Sequence, residues 1–398
     1  MQKSWKIGSL FGIPLFLDPL WFLIVGLATL NFGVAYLEWG PVLAWSSGVV
    51  MALLLFGSVL LHELGHSLVA KSQGIKVNSI TLFLFGGIAA IEEESKTPGK
   101  AFQVAIAGPL VSVTLFFLLR VIAYVLPDTS PASVMLGDLA RINLVLAVFN
   151  LIPGLPLDGG QVLKAAVWKA TGNRYQAVHW ASRTGQILGY SAIALGFVVD
   201  FFTRELALGL WIAMLGWFGV RNAKNYDSVT TLQESLLAVV ATEAMTREFR
   251  VVDANQTLRS FADLYLLEST APQIYFAAAD GRYQGMISID DLRSCERSEW
   301  ETKTLQSIVH PLTEIPTVAE STNLAQVINK LENEQLSYIT VLSPADAVAG
   351  VIDRGDILRT VAQKLNLRFS DADIKRVKEE GSFPPGLQLG AIAKSTTN

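Results

Sequence analysis

The sequence predicts a polytopic α-helical membrane domain of about six transmembrane helices with a short membrane-dipping β-hairpin, followed by a soluble α/β module. Three observations carry that prediction. Long uncharged apolar runs are confined to residues 10–222 of a 398-residue chain that is 51% hydrophobic, with a mean hydropathy of +0.40. Residues 232–365 have the charge content and short apolar runs of an ordinary soluble α/β chain. Between them, "RNAKNYDSVTT" replaces the apolar pattern with charged, amide and hydroxyl side chains. The expected organisation is a membrane domain over 1–224, a linker over 225–239, two related soluble segments over 240–298 and 299–365, and a tail over 366–398.

A helix needs roughly 20 apolar residues to cross a bilayer core. Candidate segments run from Leu15 to Leu37, Pro41 to Val69, Ala101 to Leu126, Ala132 to Leu151 with a continuation past Gly159, Thr184 to Phe202, and Leu206 to Val220. The first continues without a cleavage site of small residues, so it is expected to stay as an anchor. The fourth is interrupted by "NLIPGLPLDGG", whose prolines and glycines cannot sustain a helix. Broken backbone at membrane depth is tolerated only against protein or a wet cavity, so this break marks a candidate site.

If the segments alternate, Lys3, Lys6, Lys71, Lys76, Lys96, Lys100, Lys164, Lys169, Arg174, Arg183, Arg221 and Lys224 share one side, and the opposite loops hold only Arg204. The positive-inside rule makes the crowded side cytoplasmic. Both termini and the soluble half are then expected in the cytoplasm of a multi-pass protein, in a bacterial cell membrane or a related internal membrane. A net charge of −4 without a basic stripe gives no basis for nucleic-acid binding. A single cysteine, Cys295, permits no internal disulfide.

Between the second and third segments lies "VNSITLFLFGGIAAIEE", Val77 to Glu93, rich in β-branched and aromatic residues and too short to cross twice as helix. It is expected to form a hairpin dipping into the bundle. The Gly86-Gly87 pair leaves its backbone open to another strand.

The second segment carries His62, Glu63 and His66 within "VLLHELGHSLVA". Histidines four apart share a helix face and can hold one zinc, with the intervening glutamate as general base. The structural alternative is a pair of hydrogen-bonded core histidines. Membrane depth weakens it, because ionisable groups in a span cost about 2.5–3.5 kcal/mol each on insertion scales and are usually functional. Zinc normally takes a third protein ligand. His179 and His310 fall in polar or soluble sequence and read as surface or packing residues. Asp158, in the broken fourth segment, is better placed, with a helix N-cap as its alternative role.

HELGH (62 to 66) and "NLIPGLPLDGG" (Asn150 to Gly160), in this order and about 90 residues apart, resemble the site-2 protease family of intramembrane zinc metalloproteases. "FGG" (Phe85 to Gly87) and "AIAGPLVS" (Ala105 to Ser112) add to the resemblance, which covers residues 4–224. It implies one zinc ion held by His62, His66 and Asp158, with Glu63 as catalytic residue. It further implies that Asn150, Gly86 and Gly87 hold an extended substrate, and that membrane-anchored proteins in a lipid bilayer are cleaved. Asp18 departs from relatives that carry histidine there. Gly108 and Ser112 are small enough to suit close helix packing beside the site.

In the soluble half, "YQGMISIDDLRS" (Tyr283 to Ser294) is echoed about 65 residues later by "VAGVIDRGDILRT" (Val348 to Thr360). The repeated β-α-β-β-α order resembles a tandem pair of cystathionine β-synthase (CBS) domains. That resemblance implies an adenine nucleotide held by Ser288 and Asp291 in the first copy and by Asp356 in the second. Asp353 stands where the second copy should have a hydroxyl, and its charge would repel phosphate. The alternative is a docking or homodimerisation module without a ligand. The functional expectation is regulated intramembrane proteolysis near the cytoplasmic face, modulated by this module. Other readings are a CBS-regulated transporter, for which no repeat is evident in the membrane half, or an inactive client-binding relative. The tail is expected to hold one short charged helix, "SDADIKRVKEE", and otherwise to be flexible.

Overall fold

A computed structural model describes residues 4–83, 86–127, 130–204, 206–265, 274–384 and 386–397. The chain divides into two compact units, Met1–Thr230 and Thr231–Asn398.

The first unit begins with strands β1 (Trp5–Leu10) and β2 (Ile13–Leu17), followed by helices α1 (Leu20–Ala35) and α2 (Pro41–Ser72). Strands β3 (Val77–Phe83) and β4 (Gly86–Ile91) precede α3 (Pro98–Val125), α4 (Pro131–Asn150), α5 (Asp158–Thr171), α6 (Arg174–Thr203) and α7 (Leu206–Ala238). Helices α2, α3, α4, α6 and α7 are long and apolar enough to span a membrane.

The expected first segment is corrected. Its opening residues form β2, whose alternating burial is that of a strand with one face on the core. Asp18 and Pro19 then end the strand, with Asp18 Oδ1 accepting from Leu20 N at 2.9 Å. What remains, α1, has 16 residues, about 24 Å of helix against a core of about 30 Å. The expected hairpin is likewise only part of a sheet ordered β1-β2-β3-β4. β3 pairs antiparallel with β4 (Leu82↔Gly87) and parallel with β2 (Phe16↔Thr81). The other side of β4 is a sheet edge. Leu84 and Phe85, at the tip, lie outside the described residues.

Packing of α2 against α4 is reinforced by Asn143, fully buried, which donates to Ser58 Oγ at 3.0 Å. Arg120 and Arg141, which the count of loop charges leaves out, lie within α3 and α4. Arg141 pairs with Asp138 at 2.6 Å, and the second oxygen of Asp138 accepts from the Tyr36 hydroxyl at 2.9 Å.

Residues 225–239, expected as a linker, are helical as far as Ala238, where α7 ends. Charge alone does not break a helix; glycine or proline would, and residues 225–238 contain neither. The second unit continues with α8 (Ala241–Ala244), β5 (Arg250–Asp253), α9 (Leu258–Tyr265), β6 (Tyr275–Ala279), β7 (Arg282–Ile287), α10 (Ile289–Ser294) and β8 (His310–Pro311). The second copy follows as β9 (Thr317–Ala319), α11 (Leu324–Asn333), β10 (Tyr338–Leu342), β11 (Val348–Asp353) and α12 (Arg354–Lys364). Each copy has the expected β-α-β-β-α order, with sheets β5-β6-β7-β8 and β11-β10-β9.

The short charged helix expected in the tail is α13 (Asp371–Glu380), whereas the stretch after it, expected to be flexible, carries a further helix, α14 (Leu389–Thr397). Leu389 and Ala393 of α14 are fully buried in the core with Leu324 and Ile328 of α11. Three apolar residues of α14, Leu389, Ile392 and Ala393, at helical spacing supply the face that a disordered tail would lack, and Leu387 packs against the same core from just before the helix.

Candidate metal centre

His62 and His66 sit on one face of α2, buried at 3% and 8% exposure. Asp158 reaches them from the first position of α5. Its Oδ2 lies 3.0 Å from His62 Nε2 and 3.3 Å from His66 Nε2, and the two Nε2 atoms are 3.4 Å apart. Asp158 therefore does not cap its own helix: the N-cap position is Leu157, which has no side-chain bond. The turn before α5 is pinned, with Leu155 N donating to Ala181 O of α6 at 3.2 Å. Farther along α5, Lys164 Nζ meets Glu94 Oε2 at 2.9 Å, and Arg174 Nη2 meets the same oxygen at 2.9 Å. Burial pushes the Glu94 carboxyl up, but these two cations outweigh it and hold it below its ordinary value.

The three facing atoms fit a small tetrahedral cation. Ligands at about 2.0–2.1 Å from a tetrahedral zinc are separated by about 3.3 Å, which is the spacing found here. His, His and carboxylate is also a donor set that catalytic zinc accepts. Room for it comes from Gly108 of α3. A Cβ there would overlap His66 Nε2 and lie 2.7 Å from His62 Nε2. Each imidazole is held from behind, His62 Nδ1 at 2.9 Å from Ser112 Oγ and His66 Nδ1 at 2.6 Å from Val104 O. Among the described residues this trio alone forms a cluster able to hold a metal ion.

Glu63, one residue on, faces β4. Gly87 lies so close that a Cβ there would overlap Glu63 Cγ. Gly86 borders Val59 instead, at a φ of 129° that favours glycine. Asn150, the last residue of α4, places Nδ2 3.5 Å from His62 Nε2. The structure thus brings together His62, Glu63, His66, Asp158, Asn150 and Gly87, from α2, β4, α4 and α5. His179 is elsewhere and pairs with Asp227 at 2.6 Å. Sequence reasoning assigned Ser112 to packing only, and missed Val104. The available signal was that Gly108 and Ser112 are four apart and so share one face of α3.

In the second unit, Ser288 and Asp291 form a reciprocal cap at the start of α10, and Asp291 Oδ2 also lies 2.8 Å from His310 Nε2. Asp353 and Asp356 form the same cap on α12. There, Lys378 of α13 sits 3.2 Å from Asp353 Oδ2, 3.1 Å from Asp356 Oδ1 and 3.1 Å from Glu248 Oε2.

The model of peptidase family M50 matches residues 50–134 and 129–191, and the CBS domain model matches residues 306–363. A Synechocystis protein named as zinc metalloprotease sll0528 is 40% identical over 365 residues, covering 90% of this chain and 96% of that protein. The chain belongs to peptidase family M50. A Mycobacterium tuberculosis protein named as zinc metalloprotease Rip3 is 30% identical, over 86% of this chain and 87% of that one. The solved site-2 protease from Methanocaldococcus jannaschii is 28% identical, over 56% of this chain and 95% of that one, with a TM-score of 0.40.

This M50 protein is an enzyme, a site-2-protease-like zinc metalloprotease carrying a CBS domain. Its family acts on membrane proteins, and zinc is the metal its relatives imply. Neither the transporter nor the inactive relative is favoured.

Proposed function

We propose that the protein is an intramembrane endopeptidase that cleaves transmembrane segments of membrane-anchored proteins near the cytoplasmic face. His62, His66 and Asp158 hold one zinc ion, and Glu63 is the general base. The observation that carries this reading is the convergence of His62 Nε2, His66 Nε2 and Asp158 Oδ2 within 3.0–3.4 Å, beside the open edge of β4. Zinc, when bound, polarises the scissile carbonyl and makes water a nucleophile near neutral pH.

The chain's own residues do the rest. Glu63 takes a proton from water as its oxygen bonds to the carbonyl carbon, and passes the proton to the nitrogen as the C–N bond breaks. A helical substrate hides its peptide bonds in internal hydrogen bonds, so it must unwind before attack. The β4 edge at Gly86 and Gly87 offers replacement hydrogen bonds by strand addition, and the missing Gly87 side chain lets that strand lie against Glu63. Asn150, beside His62, also holds the substrate backbone. The soluble half lies in the cytoplasm, a placement that the lysine and arginine distribution supports.

The CBS module modulates cleavage through the first copy, where Ser288 and Asp291 meet an adenine nucleotide. In the second copy Asp353 stands in place of the hydroxyl residue, and its repulsion of phosphate favours a docking or homodimer role there. The proteolytic reading is tested by Glu63→Gln, which should keep one zinc per chain while lowering cleavage of a model membrane substrate by about 100-fold or more. Normal proteolysis in that variant would sink the mechanism. Membrane proteins that accumulate uncut in cells carrying it would name the substrates.

A further inference from the structure

From the placement of its hydroxyl we infer that Ser112 is a positioning residue for the metal centre, holding the His62 ring so that Nε2 faces the metal. This rests on the zinc reading above. Serine and threonine within a helix ordinarily bond to the carbonyl four residues back. Thr114, Thr171, Thr184 and Thr203 all do so, at 2.8–3.0 Å. Ser112, fully buried on α3, instead places Oγ 2.9 Å from His62 Nδ1.

The two imidazoles are oriented by different means. His66 Nδ1 faces the Val104 carbonyl, which can only accept, so Nδ1 carries the proton and Nε2 presents its lone pair. His62 has a hydroxyl instead, which can donate or accept. Without metal, Ser112 can donate to Nδ1 while Nε2–H donates to Asp158 Oδ2 at 3.0 Å. With metal on Nε2, the proton belongs on Nδ1, and the same oxygen accepts it. Ser112 thus serves both tautomers without moving the ring. No apolar residue can do this, and its loss would leave a buried Nδ1–H unpaired. Gly108, one helical turn earlier, keeps the space in front of the rings clear, so α3 sets both the orientation and the room of the centre.

The test compares Ser112→Thr with Ser112→Val in the full chain purified in detergent. These side chains have nearly the same shape and differ in the hydroxyl, so packing effects are shared. Zinc affinity is read by competition with graded chelators, and the geometry of the centre by the visible absorption of the Co²⁺-loaded protein. The threonine variant should stay close to the wild type. The valine variant should lose about 10–100-fold in zinc affinity and show an altered Co²⁺ spectrum. Equal affinities and spectra for the two would overturn the role of Ser112 while leaving the zinc reading intact. A wild-type protein that binds no zinc would overturn both. Should both variants fail to fold, Ser112→Ala decides by the same readouts: the 10–100-fold loss supports the role, and wild-type affinity overturns it.

Discussion

Gly108→Ala puts one methyl group into the metal centre. The added carbon would lie 2.7 Å from His62 Nε2, about 0.7 Å inside ordinary carbon–nitrogen contact, and closer still to His66 Nε2. The rings cannot simply retreat, because Ser112 and Val104 hold their far nitrogens at 2.9 Å and 2.6 Å. Zinc–ligand distances tolerate only about 0.2 Å, so a shift of 0.7 Å or more removes imidazole ligation. Losing an outer hydrogen-bond partner already costs about 10–100-fold in metal affinity, and displacing ligands should exceed the upper end of that range. The expected protein is folded, carries well under one zinc per chain by elemental analysis, and does not cleave. Gly57→Ala is the control, since it makes the same chemical change within α2 with nothing within 4 Å of the new carbon. It should keep zinc and activity, and gain up to about 1 kcal/mol of helix stability. A Gly108→Ala protein that binds zinc with wild-type affinity would refute the geometry of the centre.

Because Lys164 and Arg174 hold the Glu94 carboxyl below its ordinary value, its contribution to stability is complete above the unfolded-state value. That contribution is lost as pH falls through the lower folded-state value. Glu94 is partly exposed, so the contribution should be no more than about 1 kcal/mol. Thermal midpoints measured from about pH 3 to pH 8 should fall toward acid more steeply in the wild type than in Glu94→Gln; parallel curves would remove Glu94 from the account. In calorimetry of the full chain, an adenine nucleotide should bind with one site per chain, and Asp291→Ala should abolish it. Binding retained in Asp291→Ala but lost in Asp356→Ala would reverse the assignment of the two copies.

Legibility differed among residues according to how local their signal was. His62, Glu63 and His66 could be read directly, since helical spacing fixes which side chains share a face. Asp158 was readable from the combination of a carboxylate and a broken apolar segment, but its N-cap alternative fell only when Oδ2 was found on the two histidines. The repeated order of the soluble half followed from patterning. The N-terminal strands were not legible, because an apolar run from Leu15 fits a buried strand and a membrane helix equally until its partners are known. The helical course of α7 through residues 225–238 was missed for a related reason: polar composition signals exposure, not chain conformation. The last helix, α14, depends on α11 to bury its apolar face, a long-range matter.

The sequence by itself determined the long apolar helices after the first segment, the metal-binding residue types and the division into two halves. These follow from composition and from spacings of a few residues. Only the tertiary structure decided that Asp158 Oδ2 meets both Nε2 atoms, that Ser112 and Val104 stand behind the rings, and that Gly108 keeps the space before them open. Those relations join residues 38–96 positions apart, and only packing of α3 and α5 against α2 brings them within hydrogen-bond distance.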